Sequence, residues 1–131
     1  MINKISFKSA CNSMLLFLSV ILVFHFLILT EIVPYHIVWG GRLENLSEMR
    51  FFVVVSITIN LLIMTIIAAK AGYIGNIISA KIVSVALWVI IALFALSTVG
   101  NVVSKTSLET IIFTPFTLIS AVLCYRMVIE K

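Results

Sequence analysis

The densest chemistry in the chain lies between two apolar stretches, in Glu31-Ile-Val-Pro34-Tyr35-His36-Ile-Val-Trp39-Gly40-Gly41-Arg42-Leu-Glu44. A carboxylate, an imidazole and a guanidinium gathered at a partly dry surface can orient an ion, a polar ligand or a proton, because partial burial strengthens their charges. Pro34 should end or kink a preceding helix near Val33, and Gly40-Gly41 permits backbone conformations closed to other residues. The segment is therefore expected to fold back on the protein. The same residues also have a purely structural reading: Tyr35 and Trp39 in an aromatic belt, Arg42 and Glu44 among headgroups, the glycines in a turn.

Other polar residues sit inside apolar runs. His25 is costly in a membrane helix unless it faces the interior, where it would bond a neighbouring helix. His36 would share its face if that helix continued, which Pro34 opposes. Ser56 and Asn60, four residues apart, share one helical face and point to an interhelical hydrogen bond or to the lining of a polar cavity beneath the loop. Thr110, Thr114, Thr117, Ala121 and Cys124 form a stripe of small side chains at helical spacing, as a packing seam requires. Pro115 within it should free a carbonyl near Ile111 and kink the helix. Asn101, Lys105 and Glu109 belong to a second connection at the same end as Glu31 and Arg42, although Glu109 also fits as the acid of a capping box begun by Thr106.

Several chemistries lack their residues. The chain carries no nucleophile motif, phosphate loop or zinc signature, and no other apolar run supplies a second histidine to pair with His25 across a heme. No cofactor or metal is expected. Cys11 and Cys124 form no C-x-x-C pair and both fall near one side of the membrane, which argues against a structural disulfide or dithiol redox chemistry.

The elements that must position these residues follow from composition. The 131 residues are 63% hydrophobic and 11% charged, with mean hydropathy +1.27, whereas an ordinary soluble domain is about 25% charged. So little polar surface cannot cover a water-soluble fold. Four spans are expected, at about 10-30, 51-69, 76-99 and 107-127, making one membrane domain over 1-131 with a long structured loop at 31-50. The first span follows Lys4 and Lys8 as a signal peptide would, but it is too long and offers no small-x-small cleavage site. The second closes at Lys70 and Gly72, the third opens on Asn76 as N-cap and ends at Val99, and the fourth opens on the Thr106 to Glu109 capping box.

Lys4, Lys8, Lys70, Lys81, Arg126 and Lys131 fall on one side of these spans, and Arg42, Arg50 and Lys105 on the other. The excess places both termini in the cytoplasm. The net charge of +4 is scattered at span ends rather than gathered on one face, which argues against nucleic acid as a partner.

With its P-Y-H-x-x-W-G-G-R loop at 34-42, joined to Gly100-Asn101 and Glu109, the chain resembles uncharacterised short four-span bacterial inner-membrane proteins. The likeness covers nearly the whole chain and is most specific at Trp39 to Arg42. It implies a multi-pass protein of the inner membrane and transfers no activity, ligand or catalytic residue.

The expectation is an all-α, up-and-down four-helix membrane bundle that is not an enzyme. Its outer end, built by Glu31, His36, Trp39, Arg42, Asn101 and Glu109, would bind a small molecule, lipid or ion, with His25 and Asn60 extending a polar path inward. The competing expectation is an assembly or accessory subunit that binds another membrane protein or a second copy of itself through the loop and small-residue faces. A proton-linked enzyme using Glu31 and His36 stands third.

Overall fold

The computed structural model describes residues 4–37, 43–75, 77–103 and 109–130. It contains four long helices, α1 (Phe7–Leu29), α2 (Leu46–Ala71), α3 (Ala80–Val102) and α4 (Thr114–Val128), with a 3-10 turn at Tyr35–Ile37 and a π-helical turn at Glu109–Phe113. Each of the four apolar segments is long enough to cross a membrane, the last counted from Thr110 to Val128. The chain is a multi-pass membrane protein of all-α, up-and-down architecture. Each helix packs on its sequence neighbour and α4 returns to α1; α3 and α4 share the broadest interface, α2 and α3 the thinnest among adjacent pairs.

Helix ends are set by local hydrogen bonding, and several differ from expectation. Ser6 caps α1, its hydroxyl accepting from the Ser9 amide at 3.0 Å. That starts the helix three residues before Ala10. α1 ends at Leu29, short of Pro34, because the chain turns at Thr30 and Glu31 adopts a left-handed conformation with φ +67°. Asn45 caps α2 by accepting from the Glu48 amide at 2.9 Å, while the Glu48 carboxylate accepts from the Glu44 amide at 3.1 Å. This reciprocal cap extends α2 five residues beyond the expected start at Phe51, so the first connection is correspondingly shorter.

Gly72 closes α2 in the left-handed region, as its type suggests. α3 opens on Ser79 rather than Asn76, the Ser79 hydroxyl accepting from the Ile82 amide at 3.3 Å. It runs through Gly100 and Asn101 to Val102, past the expected end at Val99. Helical Asn101 is held from outside its own helix: its amide nitrogen donates to the Thr117 hydroxyl at 3.3 Å and its carbonyl accepts from the Thr110 hydroxyl at 3.0 Å. The Thr106 to Ser107 part of the expected capping box lies outside the described residues. Pro115 is not in the interior of an α-helix but near the start of α4, directly after the π-helical turn. Proline has no N–H to close the α-helical turn onto Ile111, and a wider i→i+5 turn moves that bond to a residue beyond the ring.

Two apolar clusters pack the two ends of the bundle. The larger lies toward the chain termini and includes Cys11, Met14, Ile67, Leu87, Cys124 and Met127, all fully buried. Both cysteines are free. The smaller cluster, at the distal end opposite the termini, joins Ile28, Leu43, Met49 and Val53, with Val33 and Tyr35 packed against it. The described parts of the long connection thus fold back on the bundle.

Candidate functional site

Between the two clusters the bundle leaves a space that is open on one side. A cavity of about 500 Å³ occupies its distal half, walled by all four helices. Leu18 and Ile63, members of the larger cluster, form its floor; Phe24, Ile28 and Phe113, from the smaller one, form its roof. The walls are mainly apolar, interrupted by His25 of α1, Ser56 and Asn60 of α2, Ser97 and Asn101 of α3 and Thr117 of α4. The volume falls within the roughly 300–1,000 Å³ of small-molecule sites, and largely apolar walls with a few placed polar groups are their usual composition.

The polar groups differ in what they have left to offer. Asn60 is buried, and its amide nitrogen donates to the Leu18 carbonyl of α1 at 3.0 Å, so it ties two helices while bordering the cavity. The Thr117 hydroxyl accepts from Thr98 at 2.9 Å and from Asn101 at 3.3 Å, and donates toward the Phe113 carbonyl at 3.0 Å. It is saturated. The hydroxyls of Ser56 and Ser97 make no hydrogen bond among the described residues, although Ser19, Thr58, Thr65 and Ser120 bond back to their own helices. Two uncommitted hydroxyls, one on α2 and one on α3, therefore border the cavity.

The small-residue stripe of α4 meets α3 through Thr110 and Thr117, and places Cys124 in the larger cluster. The α1–α4 seam is closed by rings instead, Phe17 against Phe116 at 4.9 Å and Phe24 against Phe113 at 5.6 Å.

Of the six residues expected to form one outer site, the three with described side chains lie in two places. Glu31 and His36, both exposed, border a shallow depression of about 210 Å³ with Val33, Pro34 and Tyr35. Asn101 instead lines the central cavity, together with His25 and Asn60. Val33 and Tyr35 pack into the smaller apolar cluster, whose Phe24, Ile28 and Phe113 roof the cavity, so that cluster stands between the two spaces. Trp39 and Arg42 lie outside the described residues. Glu109 opens the π-helical turn, and its side chain is likewise outside them. Ser97 and Thr117 were not singled out as site residues by the sequence reading; their signal is position, one on each wall at the depth of His25 and Asn101. Among the described residues no group of three His, Cys, Asp or Glu side chains could hold a metal.

Comparison of the chain with protein-family models, curated proteins and solved structures found no match.

Proposed function

We propose that this protein is a non-enzymatic binding protein of the membrane, whose distal cavity holds a small, neutral, mostly apolar molecule. The observation that carries the reading is the 500 Å³ space walled by all four helices, with His25 its one ionisable lining residue among the described residues. Among the described residues a carboxylate or ammonium ligand would find no fixed charge there to offset its desolvation. A neutral molecule with one hydrogen-bonding group would find Ser56 and Ser97. In this reading Glu31 and His36 form the water-facing surface above the site, and the ligand sits deeper than the loop. The lysine and arginine excess supports a distal end facing outward and cytoplasmic termini, and the resemblance of the loop supports the bacterial inner membrane.

The test is native mass spectrometry of the protein released from mild detergent. The wild type should carry added mass, and Ser56→Phe, which sets a ring into the cavity, should lower the retained fraction about tenfold without lowering the unfolding midpoint. Glu31→Gln should retain as much as the wild type. A bare wild-type chain, or equal retention in Ser56→Phe, overturns the reading. A second protein or a second copy in place of a small mass would turn the assignment to an accessory subunit. Against that alternative, Thr117 and Cys124 of the small-residue stripe are already covered within the bundle.

A further inference from the structure

The four seams around the cavity are not equally closed. α1 and α2 are tied by Asn60 to the Leu18 carbonyl, α3 and α4 by the Thr98, Thr117 and Asn101 cluster, and α4 and α1 by two ring pairs. Among the described residues no hydrogen bond or ring contact joins α2 to α3, and that pair has the thinnest interface of the ring. Three cavity-lining residues are nonetheless exposed at the bundle surface: Ile59 of α2, at 43%, and Ser97 and Gly100 of α3. A Cβ built on Gly100 meets nothing within 4 Å. Lining residues that are also exposed mark the mouth of the cavity, and all three lie on the α2 and α3 walls.

We infer that the cavity opens sideways into the bilayer between α2 and α3 and takes one chain of a membrane lipid through that opening. The inference rests on the binding reading above and adds the ligand's class and route. Ile59 sits at the middle of α2, about 20 Å along the helix from Leu46, whereas Gly100 lies two residues from the end of α3. The mouth therefore runs from the bilayer midplane to the distal interface, as a chain anchored in the distal leaflet requires. Its contents would be lipid rather than water, because the flanking surface is apolar: Leu62, Leu93 and Leu96 are all exposed beside it.

Size and chemistry limit the occupant. A chain carbon needs about the room of a liquid water molecule, about 30 Å³, so the cavity holds on the order of 16 such groups, one acyl or prenyl chain rather than two. Ser56 and Ser97 can donate to an ester carbonyl or meet a hydroxyl near the head of that chain. A charged headgroup would stay outside, at the level of Gly100.

The probe is phosphatidylcholine with deuterated chains, supplied in vesicles to the full-length protein in unlabelled vesicles, with retained lipid then weighed by native mass spectrometry. The wild type should retain one lipid per chain and exchange it. Ser97→Trp should slow exchange by about tenfold, while Val23→Trp, on the exposed surface of α1 away from the mouth, should leave the rate unchanged. Gly100→Trp, whose side chain enters open space, provides a second obstruction should Ser97→Trp lower the unfolding midpoint. Equal exchange in the wild type and both obstructed variants overturns the lateral route and leaves the binding reading standing. Retention of a small non-lipid mass overturns the lipid class alone. A wild type with no added mass in any membrane overturns the binding reading itself.

Discussion

In the half of the bundle that holds the termini, Met14, Ile67, Leu87 and Met127 are fully sealed, and several polar side chains bond to other segments. Arg126 donates to the Ile5 carbonyl at 2.7 Å and pairs with Glu130 at 3.2 Å, Lys70 donates to the Glu130 carbonyl at 3.3 Å, and the Tyr73 hydroxyl donates to Asn12. In the distal half, α3 buries no side chain to that degree from Ala92 to Val103, and two serine hydroxyls face an open space. In lipid, helices gain little from leaving one apolar environment for another, so association depends on close packing and interhelical hydrogen bonds. The terminal half uses both to hold the helices together. The distal half uses them on three seams and leaves the fourth unpinned, as a binding bundle must if its ligand comes from the side.

That contrast can be broken most directly by emptying each half in turn. Leu87→Ala, in the sealed half, should destabilise the protein by about 3 kcal/mol in reversible unfolding from mixed micelles, since the surroundings cannot collapse into the gap. Ile21→Ala, on a wall that already borders free space, should lose about 1 kcal/mol, because fewer packing contacts are forfeited. Equal losses would mean that the two halves are packed alike.

Smaller effects sharpen the same comparison through its polar ties. Arg126→Ala should cost about 1.5 kcal/mol by removing a charge-assisted bond to Ile5, with faster amide exchange in the first turn of α1. Asn60→Leu should cost about 1 kcal/mol and loosen the α1–α2 seam, read as a closer balance of exchange rates across the distal helices. If Asn60→Leu proved the more damaging of the two, the distal half would be the one held by its polar groups.

The smallest expected change lies at the distal turn. Glu31→Gly should alter stability by no more than about 0.5 kcal/mol, because relief of the left-handed backbone is offset by a more flexible unfolded chain. Glu31→Ile, β-branched at the same φ, should lose about 1 kcal/mol. A large loss in Glu31→Gly would show that the carboxylate itself holds the loop.

Four spans and their approximate limits were legible in the chain, because hydropathy is summed along one segment and membrane helices satisfy their own backbone. Ser6, Asn45 and Ser79 are residue types that cap helices, but the sequence reading named none of them and put the third cap at Asn76, because residue type alone does not say which amide a side chain reaches. The loop of Glu31 and His36 stood out by composition, yet composition does not measure distance. Only the tertiary structure separated it from Asn101, and only the tertiary structure revealed the cavity. The sequence by itself determined that polar groups enter the membrane; which are spent and which face a vacancy was decided by four helices whose packing tightens toward the termini and thins between α2 and α3.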